Sequence, residues 1–215
     1  RGAIVASALI DVREAEALAR WLLERDEAEP VGTLIAAAGI GGADAVPTDS
    51  GETGPQALAI FGVNTLGVVN TVTPLLPRMT ARGRGQIAIV GSIAGLLGLP
   101  QTPAYCASKA AVDVYADGLR RLLAPKGVRV TAVLPGFVDT PMSRSLEIAR
   151  PFCWSAEKAA VRIARAIDAG KGRFVFPWPL RAAIGLARLV PSPILDVILT
   201  RANSVAANPR RISQD

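Results

Sequence analysis

The sequence predicts an α/β fold, a parallel β-sheet covered on both faces by helices. Three observations carry that prediction. Short apolar runs alternate with stretches of helical periodicity, the order in which crossover helices join parallel strands. The runs are apolar throughout, as in strands buried on both faces. At 215 residues, 50% hydrophobic and 20% charged, the chain has the size and composition of one folded domain with a sizeable core.

Taken in order, Ala3 to Ile10 is apolar and β-compatible and ends at Asp11. From Arg13 to Leu23, Ala17, Leu18, Trp21 and Leu22 recur at helical spacing, which predicts a surface helix, with Asp11 as a candidate cap. Pro30 closes it, and Thr33 to Ala37 reads as the next strand, leading into Ala38 and Gly39. Gly41 to Gly54 is polar, glycine-rich and broken by Pro47, the composition of a loop. A long helix starts near Pro55, a residue suited to the first turn; it is disturbed at Pro74 and Pro77.

Arg82 to Gly85 forms a turn before the strand Gln86 to Val90. A helix is expected from Pro103 to Leu123, closed by Pro125 and Gly127, and a strand from Arg129 to Leu134. Phe137 to Trp154 reads as a loop with a helical piece, Ser155 as the cap of a helix to Asp168, and Arg173 to Phe176 as a last short strand. After Pro177 the texture changes to apolar stretches broken by prolines, with Arg181, Arg188 and Arg201 between them.

Charge and composition exclude several functions. The formal charge of +6 is spread over scattered arginines, which reads as a solvated surface and not as a nucleic-acid footprint. Histidine is absent and the only cysteines are Cys106 and Cys153, so no metal or disulfide framework is expected and a reducing, cytoplasmic setting suits the chain. Arg1 leads into a strand-like run and a charged helix, unlike a secretory signal. No uninterrupted apolar stretch is long enough to cross a bilayer as a helix.

Without histidine, acid–base chemistry must fall to a perturbed Tyr, Lys, Asp, Glu or Cys. Tyr105 and Lys109 are four apart and share one face of the predicted helix. Ser92 follows the strand that ends at Val90. In a parallel sheet, ligands bind beyond the carboxyl ends of the strands, and Asp11, Ala38–Gly39, Ser92 and Pro135–Gly136 all stand at such ends. Cys106 adjoins Tyr105, but nothing nearby would activate its thiolate, and packing explains it.

YCASK, with Ser92 upstream, Asn64 in FGVNTLG and PGFVDT at Pro135–Thr140, resembles the short-chain dehydrogenase/reductase family. The resemblance runs from about Ala3 to Pro177. It implies a Rossmann-like, doubly wound parallel sheet and an oxidoreductase that uses NAD or NADP to interconvert a small-molecule carbonyl and a secondary alcohol. By position, Tyr105 is the implied general acid or base and Lys109 supports it and holds the nicotinamide ribose. Ser92 would bond the substrate oxygen, and Asn64 would continue a water-linked proton path. Implied cofactor contacts are Asp11 and Val12 at the adenine, Ala38 and Gly39 beside the ribose, and Pro135, Gly136, Val138 and Thr140 at the nicotinamide. Helix capping explains Asp11 equally well. A homodimer or homotetramer through the helices near Pro55 and Pro103 is also implied.

Two departures from the family pattern stand out. Ala37 replaces the asparagine of the usual Asn-Ala-Gly. The glycine-rich strand–turn–helix that grips the pyrophosphate is missing, so the fold is expected to be N-terminally incomplete and the chain alone to bind cofactor weakly. The expected division is a partial catalytic domain over 1–177 and an apolar, basic extension over 178–215. That extension is a lid, an oligomer contact or an attachment to an anionic membrane surface. The rival functions are a catalytically silent interaction protein of dinucleotide-binding fold and a peripheral membrane scaffold.

Overall fold

A computed structural model describes residues 5–41, 51–146 and 149–207, the last seven as backbone only. Residues 5–10, read from the sequence as part of a strand, are irregular and largely exposed. Their apolar pattern suits a strand, but a strand also needs a neighbour to complete its hydrogen bonds, and among the described residues none pairs with them. Most of the predicted loop between Gly41 and Gly54 lies outside the described residues.

The first helix, α1, spans Ala15–Ala28, about one turn beyond its predicted end. Asp11 does not cap it. Its carboxylate instead accepts from the Arg13 backbone N–H at 2.9 Å and from the Arg13 guanidinium at 2.6–3.0 Å. Strand β1, Thr33–Ala36, follows.

Next come α2 (Gly54–Phe61), a π turn over Gly62–Leu66, α3 (Gly67–Val72), a 3-10 turn at Thr73–Leu75 and α4 (Leu76–Ala81). Thr53 and Gln56 form a reciprocal capping box at the start of α2. Pro74 and Pro77 fall at the 3-10 turn and its exit, the expected disturbance. The structure corrects the hydropathy reading, since Gly54–Ala81 runs as one helical stretch of 28 residues, long and apolar enough to cross a membrane by length and composition. Here it serves as a core helix, with Val68, Val72, Leu75 and Met79 in the central hydrophobic cluster.

Strand β2 is Gly85–Val90, α5 is Pro103–Leu123 and β3 is Val128–Pro135. A short arm follows: β4 (Val138–Asp139), α6 (Pro141–Arg144) and β5 (Trp154–Ser155). Helix α7, Ala156–Asp168, is capped by Ser155, whose side chain accepts from the Lys158 N–H. Strand β6 spans Arg173–Phe176, and α8 (Trp178–Ala187) and α9 (Ser192–Ala207) end the described chain.

The main sheet has the order β1-β2-β3-β6 with every neighbour parallel. Its central strands are buried at nearly every position, among them Ile87, Ala88, Ile89, Val133 and Leu134. At about 25 cal/mol per Å² such burial is the main favourable contribution to folding. Because all four strands run the same way, Ala36, Val90, Pro135 and Phe176 end on one rim.

Candidate active site

Helix α5 sets the site. Pro103 stands in its first turn, where a missing N–H costs nothing. Thr102, at the cap position, contributes no side-chain bond. Glu52 does that work instead, its carboxylate accepting from the backbone N–H of Ala104 at 2.8 Å and of Tyr105 at 3.0 Å. A carboxylate there also complements the positive end of the helix dipole.

Tyr105 and Lys109 lie on one face of α5, as the spacing requires, with the Lys109 Nζ 5.8 Å from the Tyr105 ring centre. Burial pushes the Tyr105 phenol above its ordinary value, and a hydrogen bond with Ser92 works the other way. Lys109 is 5% exposed, and burial lowers its ammonium from 10.5 to about 8. Its Nζ donates to the Val90 carbonyl at 3.4 Å.

Ser92 caps a 3-10 turn, Ile93–Leu96, by accepting from the Ala94 N–H at 3.1 Å. That turn lies directly on α5, where a Cβ on Gly95 would come within 2.6 Å of the Lys109 backbone carbonyl carbon. Only glycine allows this approach, which fixes Ser92 relative to Lys109.

Asn64 is fully buried in the π turn. Its Oδ1 accepts from the Ile40 N–H at 2.8 Å, and its Nδ2 donates to the Ile40 carbonyl at 3.0 Å and to Ser108 Oγ at 3.1 Å. Ser108 Oγ in turn donates to the Tyr105 carbonyl at 2.8 Å. The chain Ile40–Asn64–Ser108–Tyr105 thus joins the exit of β1, the long helix and α5. Gly39 lies beside both polar groups: a Cβ there would meet Lys109 Nζ at 3.1 Å and Asn64 Oδ1 at 3.3 Å.

The other predicted residues border this centre from separate elements. Ala38 and Gly39 follow β1, and Pro135 and Gly136 follow β3, with the Gly136 N–H donating to the Phe176 carbonyl at 2.6 Å. Val138 pairs with Trp154 in the β4–β5 arm. Thr140 caps α6, its hydroxyl oxygen accepting from the Ser143 N–H at 3.3 Å. Arg144 and Arg150 pair with Asp139 and hold its carboxyl at about 2. Val12 stands apart, before α1, where it packs against Gly67 and its carbonyl accepts from Asn70 Nδ2 at 3.0 Å. Asp11, beside it, is taken up by Arg13, which lowers its carboxyl to about 2.

Glu52 and Ser108 escaped the sequence reading. Ser108 lies inside YCASK, three residues after Tyr105, a spacing that lets a hydroxyl bond back to a helix carbonyl. Glu52 has no such signal, since it lies about fifty residues from the helix that it caps.

The sequence profile of the family described as short chain dehydrogenase matches residues 3–150. An uncharacterized oxidoreductase of Myxococcus xanthus is 31% identical over 201 residues, covering 93% of this chain and 78% of that protein. An uncharacterized oxidoreductase of Mycobacterium tuberculosis is 34% identical over 163 residues, 75% of this chain; the chain spans 64% of that relative's length. A solved gluconate 5-dehydrogenase from Burkholderia cenocepacia J2315, in complex with NADP and tartrate, superposes with a TM-score of 0.68 at 23% identity, covering 81% of this chain and 74% of that one. That likeness shows the fold.

Proposed function

From the premise that the chain belongs to the short-chain dehydrogenase family of oxidoreductases, we propose that it interconverts a small-molecule carbonyl and a secondary alcohol with NAD or NADP. The observation that carries this reading is the linked set of Tyr105, Ser92, Lys109 and Asn64 at one rim of the sheet. A catalytically silent scaffold has no use for a buried ammonium beside a half-buried phenol.

The residues at the rim fit the nicotinamide-ribose end of a dinucleotide. Lys109 Nζ has three donors; among the described residues its acceptor is the Val90 carbonyl, and Gly39 keeps a side chain away from it. Lys109 and Tyr105 would hold ribose hydroxyls, Ala38 and Gly39 would flank them, and Pro135, Gly136, Val138 and Thr140 would border the nicotinamide. Asp11 and Val12 would reach the adenine through their backbone, because the Asp11 side chain is already paired. The bound cofactor supplies or accepts the hydride.

The chain's own groups manage the proton. The raised phenol keeps Tyr105 protonated at neutral pH, the state needed to protonate a carbonyl oxygen during reduction. Ser92 bonds that oxygen as negative charge develops on it. The Lys109 ammonium favours the tyrosinate left behind, and favours the same anion as base in alcohol oxidation. Asn64 Oδ1 keeps one lone pair beyond its bond to Ile40, which can hold a water next to Lys109 and return a proton from solvent.

Exposed Leu58 on α2, with Val114 and Leu122 on α5, supports a homodimer or homotetramer through these helices. Tyr105→Phe, assayed in the protein at its full gene-encoded length, is expected to lower nicotinamide-dependent turnover about 10²–10⁴-fold. Turnover equal to the parent's would sink the mechanism.

A further inference from the structure

We infer that α8 and α9 together form a docking face for an anionic membrane surface. From Trp178 to Thr200 no described side chain is buried, although the segment is mostly apolar. On α8, Trp178 and Leu186 are exposed, Trp178 by 76%, and Leu189, in the turn just past the helix end, is exposed by 80%. Leu180 and Ile184, on the other side, are half-buried; Leu180 packs toward Gly136. On α9, Ile194, Val197 and Ile198 follow the i, i+3, i+4 rule and are exposed, while Leu195 and Leu199 are half-buried. Helix α8 therefore gives one apolar side to the body through Leu180, and both helices turn an apolar side outward.

Charge selects the occupant. Arg181 on α8 and Arg188, its C-cap residue, are exposed, and their seven-residue spacing keeps them on one side of the helix. From Trp178 to Asp215 the sequence holds five arginines and two aspartates, with no lysine or glutamate. An isologous contact between two copies would set this basic face against itself, whereas anionic headgroups answer it and the apolar stripe enters the acyl boundary. Trp178 suits that depth, since indole combines a large apolar body with one N–H donor. The arginines can keep their stems on the stripe and their guanidinium groups among the phosphates.

The test is co-sedimentation of the 215-residue chain with phosphatidylcholine vesicles, alone or mixed with an equal amount of phosphatidylglycerol. The chain is expected to partition to the mixed vesicles, more weakly to the neutral ones, and less as salt rises. Arg181→Glu with Arg188→Glu should lower partitioning to the mixed vesicles roughly tenfold or more. Leu186→Asp with Leu189→Asp should abolish it. All four side chains are exposed, so circular dichroism and Tm should match the parent and exclude misfolding. Failure of the parent chain to partition, or equal partitioning by parent and variants, would overturn the inference. So would a leucine variant that lowers the oligomer mass in solution while vesicle binding stays intact, because a second copy would then be the occupant.

Discussion

Lys109 concentrates the conflict between stability and function at the residue scale. Burial lowers its ammonium from 10.5 to about 8, so the folded chain holds this proton less tightly than the unfolded chain does. The cost is fully present below about pH 8 and fades as pH rises toward 10.5, where both states are neutral. A shift of this size corresponds to about 3 kcal/mol at neutral pH. Lys109→Met keeps the apolar stem and removes the charge. It is expected to stabilise the chain by about 2–3 kcal/mol at pH 7 in urea unfolding, with the advantage shrinking toward pH 10.5, while activity is lost. A variant less stable than the parent at pH 7 would show that the ammonium is held by partners and not merely tolerated.

Helix α5 is the element on which the site depends, and its amino terminus is secured from outside. Glu52 satisfies two of its free N–H groups, one of them belonging to Tyr105. Glu52→Ala should cost about 1 kcal/mol of stability and lower Tm by roughly 2–4 °C. If the Tyr105 ring then shifts by up to 1 Å, kcat should fall by as much as about 100-fold. Glu52→Gln retains an acceptor for one of the two amides and should recover part of both losses; an unchanged kcat in Glu52→Ala would limit the residue to stability. The bounds of α5 were legible because Pro103 opens it and Pro125 and Gly127 close it, all local signals. The π turn at Asn64 and the Glu52 cap were not, since each is decided by partners distant in sequence. Tyr105, Lys109, Ser92 and Asn64 were legible as neighbours because strand polarity brings their elements to one rim. Asp11, a candidate cap or adenine contact in the sequence, does not cap α1, and its carboxylate pairs with Arg13.

At the scale of the whole molecule, β1 forms one edge of the sheet, and Ile35 at its centre is 53% exposed. Parallel sheets ordinarily have both faces covered, and at Ile35 the described residues leave this edge strand uncovered. Residues 5–10, strand-like in sequence, are irregular as well, and among the described residues no strand pairs with them. The site is therefore furnished unevenly. In the proposed function Lys109, Tyr105 and the loops after β1 and β3 would take the nicotinamide-ribose end, while among the described residues no glycine-rich turn opens a helix toward a pyrophosphate. Each charge-assisted hydrogen bond lost there is worth about 1.5–3 kcal/mol. Two such losses would weaken binding by roughly 10²–10⁴-fold. Fluorescence titration of the 215-residue chain with NADH or NADPH should accordingly show only weak, unsaturated binding. Saturation at micromolar dinucleotide would contradict this, because another part of the chain would then have to grip the phosphates.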